Sequence, residues 1–173
     1  MKIVIINGLG TTGKDEFIKQ IQLLSLYQNE NSIKIINISS IDCVKEQAKN
    51  FGWHGEKNEK SRKFLAELKN IWIEYNNGPF NNIIEKVKIQ KEQNTNCIMF
   101  IHCREISEIE KFKKYFKDAF FITLLIKRNV ETPNNIADSQ VFDYQYDYTI
   151  DNDGDILDLK EKAKVFLNFI LKK

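Results

Sequence analysis

Apolar residues fall along this chain in two alternating rhythms. Short unbroken runs at residues 3–6, 33–38, 97–101 and 120–126, with a weaker one at 146–150, have the length and β-branched character of strands buried on both faces. Between them apolar positions recur every three or four residues. Phe17, Ile18, Ile21 and Leu24 form such a stripe within 15–28. Others are Phe64, Leu68, Ile71 and Tyr75; then Ile106, Ile109, Phe112 and Phe116; then Ile156, Leu159, Ala163, Phe166 and Ile170. The βαβαβ alternation predicts an α/β fold, a parallel sheet covered on both faces by helices. Only Pro79 and Pro133 interrupt it.

The spacing is uneven in one place. The second and third strands are separated by a mostly helical insert at about 41–93, far longer than the dozen or so residues a crossover needs, and such an insert is where a second substrate would be gripped. Asn76-Asn77-Gly78-Pro79 ends one helix and starts another within it, and Phe51-Gly52-Trp53-His54-Gly55 is a turn-rich break that places Trp53 on a loop. Two roles stay open for Trp53: stacking on a base, or capping a helix–helix junction.

Composition narrows the class. With 173 residues and 42% hydrophobic content, the expectation is one domain over 1–173 that contains the insert. A net charge of +2, with no interleaving of basic and aromatic residues, argues against nucleic acid and for a small-molecule partner. No run of 18 apolar residues and no charged-then-apolar leader is present, so the expectation is a cytoplasmic protein without a membrane partner. Cys43, Cys97 and Cys103 lack C-x-x-C spacing and read as reduced, buried thiols. His102 and Cys103 are neighbours on a strand and so point to opposite faces, and no structural zinc is expected. Oligomeric state is not encoded legibly.

The densest chemistry lies at the amino end, where Ile3-Val4-Ile5-Ile6-Asn7 runs into Gly8-x-x-x-x-Gly13-Lys14. With seven glycines and 23 lysines, that heptapeptide spacing arises by chance in about one such chain in thirty, and far less often between a buried strand and an amphipathic helix. Glycines at 8, 10 and 13 let backbone amides approach an anion, Lys14 adds a flexible cation, and the following helix turns its N-terminus to the same point. This is a phosphate-binding P-loop. Asp15 stands where the motif has Ser or Thr to ligate Mg²⁺; a carboxylate there holds a hydrated metal while adding negative charge near the phosphates.

Three arginines stand out against the 23 lysines: Arg62, Arg104 and Arg128. In a chain that fills its basic positions with lysine, an arginine marks a place where a planar, bidentate fork is wanted. Arg104 follows the third strand and Arg128 the fourth, which puts both at the carboxyl edge of a parallel sheet, where ligands bind.

Gly13-Lys14-Asp15, the strand end His102-Cys103-Arg104-Glu105 with Glu108 beyond it, and the tail Asp147-Tyr148-Thr149-Ile150-Asp151-Asn152-Asp153-Gly154 together resemble the phage-type deoxynucleoside monophosphate kinases and their bacterial relatives among the P-loop kinases. The family pattern at the third strand is roughly D-x-R-x-x-N-E. Arg104 and Glu108 match it, while His102 takes the Asp position and Ser107 the Asn position. Arg62-Lys63-Phe64-Leu65 resembles the arginine and leucine-bearing helix of the family's substrate insert. The resemblance implies a P-loop three-layer α/β/α fold with a five-stranded parallel sheet in the order 2-3-1-4-5.

It further implies that Gly8, Gly10, Thr11, Thr12, Gly13, Lys14 and Asp15 hold ATP phosphates and Mg²⁺, with Asp15 the metal contact. Arg62 and Arg104 would hold an acceptor monophosphate. Lys127 and Arg128 would close over the transferring group, and Asn152 with Gly154 would lie beside the adenine. On this reading Lys14, Arg104 and Arg128 are the catalytic cations. Asp42 and Lys45, at the start of the insert, are candidate acceptor contacts or else a helix N-terminal acid and a solvated face residue. The function implied is ATP-dependent phosphoryl transfer to a phosphate monoester, a (deoxy)nucleoside monophosphate first. A kinase of the dephospho-coenzyme A or phosphomevalonate type, or a nucleotide-binding regulator without transferase activity, are the alternatives.

Overall fold

The computed structural model of the chain describes residues 1–27, 33–93, 96–129 and 140–172; Gln28, at the end of the first expected helix, and Pro133 lie outside them. The elements in order are β1 (Lys2–Asn7), α1 (Lys14–Tyr27), β2 (Lys34–Ser39), α2 (Asp42–Asn50), α3 (Glu59–Asn76), α4 (Gly78–Glu92), β3 (Cys97–His102), α5 (Ile106–Tyr115), β4 (Phe120–Lys127), a short 3-10 turn (Gln140–Phe142), β5 (Tyr148–Asp151) and α6 (Ile156–Leu171). The chain divides into two compact units, one made of Met1–Asn37 with Thr95–Lys173 and the other of Ile38–Asn94.

The sheet is parallel and five-stranded, in the order β2-β3-β1-β4-β5. β1 is central, paired with β3 from Lys2 opposite Ile98 to Ile6 opposite His102, and with β4 from Lys2 opposite Phe120 to Asn7 opposite Leu125. The inner strands were legible as apolar runs because each buries both faces. Val4, Ile6, Ile98, Phe100, Ile122, Leu124, Ile126 and Ile150 share one face and pack under α1 and α6, through Phe17, Ile18 and Ile21 on the first helix and Leu159, Phe166 and Ile170 on the second. The rings of Phe17 and Phe166 meet at 5.6 Å. Burying each such side chain contributes about 1.5–3 kcal/mol. Ile3, Ile5, Met99 and Ile101 alternate onto the other face and are fully buried there; α5 supplies Ile109 and Phe112, and Phe116, just beyond it, stacks on Phe121 at 6.3 Å. Helices on both faces make the three-layer α/β/α architecture.

β5 begins two residues later than the apolar pattern suggests. Asp147 is the reason: its carboxylate accepts from the amide and the hydroxyl of buried Thr123 at 2.8 and 2.7 Å, and its own amide donates back to that hydroxyl at 3.0 Å. The strand therefore starts from a side-chain clamp on β4. α6 then starts at Asp155, whose side chain accepts from Leu157 and Asp158 amides at 2.9 Å.

The second unit is helical. Asn58 caps α3, accepting from the Ser61 amide at 2.8 Å, and Asn77 ends it in the left-handed conformation, φ 55° and ψ 33°. Gly78-Pro79 opens α4, proline sitting where its missing N–H costs nothing. The indole of Trp72 lies directly on Gly78, where a Cβ would come within 1.8 Å of its Nε1, so the helix junction is closed by Trp72. Trp53 sits on the α2–α3 loop as expected and donates to the Glu56 carbonyl at 3.3 Å. Cys43, Cys97 and Cys103 are buried thiols, and burial pushes those of Cys43 and Cys97 up from their ordinary range. Among the described residues no helix is long and apolar enough to cross a membrane.

Candidate phosphate-binding site at the sheet edge

The Gly8–Lys14 loop leaves the central strand and enters α1 directly, with the Phe17 amide already bonded to the Gly13 carbonyl at 2.9 Å. Its path requires glycine twice: Gly8 has φ +146° and Gly13 φ +91°. Thr11 also lies in the left-handed region, at φ 62°, and its hydroxyl donates to the Gly10 carbonyl at 2.6 Å. A β-branched residue held there is local strain of the kind that gathers at functional sites. Gly10 and Thr11 are exposed and Thr12 is buried, its hydroxyl donating to the Leu9 carbonyl at 3.0 Å. Leu9 anchors the loop from below against Leu125 and Val141.

Lys14 Nζ donates to the carbonyls of Gly8 at 2.8 Å and Leu9 at 2.5 Å. The ammonium thus lies folded along the loop, within reach of any anion seated on it. Asp15 and Glu16 occupy the first turn of α1, where carboxylates complement the helix dipole.

Two buried asparagines brace the loop from opposite sides. Asn7, 1% exposed, accepts the Gly8 amide at 2.8 Å and donates to the Tyr146 hydroxyl at 2.7 Å and the Arg104 carbonyl at 3.3 Å. Tyr146 passes the chain on to the Val141 carbonyl at 2.9 Å. Burial pushes its phenol up to about 12, the Asn7 amide partly offsetting this, so Tyr146 remains a neutral donor. On the other side Asn152, 3% exposed, donates from its side chain to the Thr12 carbonyl at 2.8 Å and from its amide to the Lys127 carbonyl at 2.7 Å.

Asn152→Ala is expected to lower stability by about 1–3 kcal/mol, the cost of stranding a buried carbonyl, and to weaken ATP binding with it. Urea unfolding and calorimetry check the pair of effects; a variant with unchanged unfolding midpoint and affinity would remove Asn152 from this role.

Arg104 follows β3, Lys127 ends β4 and Arg128 comes just after it; β3 and β4 are the two strands that flank β1, and all three residues are exposed. The Asn7 bond to the Arg104 carbonyl holds that backbone beside the start of the loop. The Asn129 amide donates to Asp153 at 2.6 Å, tying the segment after β4 to the turn that carries Asn152 and Gly154. Gly154 is exposed, and a Cβ on it would come within 2.5 Å of the Asp158 carboxylate.

His102 and Cys103 diverge as strand geometry requires. His102 Nε2 lies 2.8 Å from Asn37 Oδ1 and 3.5 Å from Asp15 Oδ1, whereas the buried Cys103 thiol donates to the Glu108 carboxylate at 3.4 Å. Arg62 is exposed in the first turn of α3; Asp42 opens α2 and accepts the Ser39 amide at 2.8 Å, and Lys45 lies half-buried on the same helix. These three belong to the second unit.

Sequence reasoning passed over Asn7, Asn37 and Tyr146. The first two carried a signal: each is a polar residue inside or ending an otherwise apolar strand run, where an amide is retained only if something bonds it. Tyr146 carried none.

This is a P-loop α/β/α protein. In fold it is similar to the APS kinase of Mycobacterium tuberculosis, solved as a cysteine-to-alanine variant, at 12% identity and a TM-score of 0.50 over 98% of this chain and 96% of that one. It is likewise similar to an unliganded sugar kinase from Janibacter sp. HTCC2649, at 12% identity and a TM-score of 0.52 over 97% of this chain and 95% of that one. At such identities the likeness is one of fold. No family model matches the chain, and no curated protein matches it.

Proposed function

We propose that this protein transfers the γ-phosphoryl group of ATP to a small acceptor that already carries a phosphate, a (deoxy)nucleoside monophosphate, in the cytoplasm. One observation carries the reading: a glycine loop at the central strand, with Lys14 on its carbonyls and buried asparagines bracing both sides, forms an anion seat at the N-terminus of α1. Phosphoryl transfer asks little covalent chemistry of a protein and much positioning. The amides of Gly8 to Gly13 cradle the ATP phosphates, Lys14 neutralises charge on the transferring group, and Arg104 and Arg128 reach it from the flanking strands. Arg62 holds the acceptor phosphate, with Asp42 and Lys45 as further acceptor contacts, and Lys127 with the Asn152–Gly154 turn borders the nucleotide. An acceptor phosphate is itself an anionic nucleophile, so no general base is required.

Asp15 fits Mg²⁺ on this scheme: one exposed carboxylate beside the phosphate seat is what a largely hydrated ion bound through phosphates takes. Asp15 would hold the ion, and the chemistry Mg²⁺ would supply is to lower the charge that the acceptor must approach.

A panel of monophosphates incubated with Mg-ATP tests the reading, diphosphates being the expected products. Arg62→Lys is expected to raise the acceptor KM about tenfold while leaving ATP affinity unchanged, because lysine cannot supply a bidentate fork. Equal loss on both substrates would refute the assignment. Asp15 and His102, in place of the usual metal-site residues, favour a second reading, a nucleotide-binding regulator; ATP binding without turnover on any acceptor would select it. Turnover on a non-nucleotide phosphate alone would select a kinase of the dephospho-coenzyme A or phosphomevalonate type.

A further inference from the structure

The backbone ladder between β1 and β3 ends with Ile6 opposite His102, and the Cys103 amide extends it by one bond, donating to the Ile6 carbonyl at 3.3 Å. The next attachment is made by a side chain. Asn7, 1% exposed, donates from Nδ2 to the Arg104 carbonyl at 3.3 Å and to the Tyr146 hydroxyl at 2.7 Å, while its Oδ1 accepts the Gly8 amide at 2.8 Å. One planar amide therefore bridges the first residue of the phosphate loop and the backbone of Arg104.

Tyr146 fixes which way that amide faces. A hydroxyl has one proton, and this one goes to the Val141 carbonyl at 2.9 Å, so toward Asn7 the phenol oxygen accepts. The Arg104 carbonyl requires a donor as well. Both demands fall on Nδ2; with the amide turned over, Oδ1 would face two acceptors and Nδ2 would face the Gly8 N–H. The phenol is itself anchored, its ring packing with Leu9, Leu125 and Val141 and meeting the ring of Tyr144 at 5.0 Å, whose hydroxyl donates to Glu110 of α5 at 2.8 Å.

In-line transfer is sensitive to where the reacting groups are held: a misplacement of about 1 Å costs on the order of 10²-fold in rate. On the proposed function the loop carries the ATP phosphates and Arg104 meets the phosphoryl groups beside it. We infer that Asn7, oriented by Tyr146, is a positioning residue that sets the separation between the phosphate loop and Arg104. The inference rests on the proposed function for what the loop and the arginine hold; the hydrogen-bonded bridge between them stands without it.

Tyr146→Phe is the deciding variant, because it keeps the ring on Leu9 and removes the hydroxyl alone, whereas Asn7→Ala also strands the buried Gly8 amide. With Mg-ATP and a monophosphate acceptor, Tyr146→Phe is expected to lower kcat about tenfold while the ATP Kd stays within about twofold of the parent. In an Arg104→Ala background the same change should cost about twofold or less, since the arginine it positions is gone. Amide hydrogen exchange on the full chain supplies a readout without turnover: exchange at Gly8 should quicken about tenfold in Tyr146→Phe, while Ile5, inside the ladder, exchanges at the parental rate. An unchanged kcat, or a tenfold loss repeated in full without Arg104, overturns the inference while turnover by the parent keeps the kinase reading. No turnover by the parent on any acceptor ends the kinase reading, and exchange then decides alone: unchanged protection of Gly8 in Tyr146→Phe overturns the bridge, and its selective loss upholds it.

Discussion

Lys14→Ala is expected to lower kcat/KM for phosphoryl transfer by about 10²–10³-fold or more, the scale seen when one preorganised donor is removed from developing charge. The ammonium is tied directly to the phosphate loop, since it sits at the first position of α1 and donates to Gly8 and Leu9 carbonyls. Arg104, Lys127 and Arg128 are exposed residues at the neighbouring strand ends, and on the proposed reading they do not replace a charge fixed at the loop. The cost to the fold is smaller. Truncation removes two part-buried hydrogen bonds to the carbonyls of Gly8 and Leu9, both buried residues, about 1–3 kcal/mol in stability. Steady-state kinetics and thermal unfolding separate the two effects. A variant that melts normally and transfers phosphate within about threefold of the parent would end the assignment, because uniform ground-state binding alone does not produce a kcat effect of the expected size.

How much of this was legible beforehand depends on the range over which each feature is encoded. The five strands, the helical stripes and the helix junction at Asn77-Gly78-Pro79 are written locally, in apolar period and turn chemistry, and apart from the start of β5 each lies where the pattern puts it. The phosphate loop is local too, seven residues in one stretch. The strand order is not local; it came from resemblance, and the sheet has it. What stayed hidden are side-chain bonds between distant segments. Asn7 meets Tyr146 across 139 residues and Thr12 meets Asn152 across 140. Asn152 was placed near an adenine from its position in a tail motif; its side-chain amide is bonded to the loop backbone, a role that no spacing rule encodes. The start of β5 shifted for the same reason, a carboxylate clamp from Asp147 onto Thr123 across 24 residues.

The glycines of the loop should separate cleanly by what surrounds them. Gly8→Ala is expected to destabilise the fold by about 2–5 kcal/mol, combining the left-handed backbone penalty with overpacking. A Cβ there would lie 2.4 Å from the Ile126 carbonyl oxygen and 2.9 Å from the Thr12 hydroxyl. The first contact is with backbone of β4, where Ile126 is paired to Ile150, so relief requires breaking the sheet ladder. Gly13→Ala should fall lower on the same scale. Its φ of +91° is strained for alanine, but the atom met at 2.4 Å is the Asn152 side-chain nitrogen, which can swing away by giving up its bond to Thr12. Gly10 differs from both, with open space where a Cβ would stand and no positive φ, so Gly10→Ala should leave stability within about 0.5 kcal/mol of the parent. Any loss of ATP affinity in that variant then reports on the phosphate seat alone, uncontaminated by folding. Urea midpoints for the three variants, measured beside ATP isotherms, decide the matter: a Gly8→Ala protein unfolding at the parental midpoint would show that the loop does not press on β4, and the anion seat would lose its rigid floor.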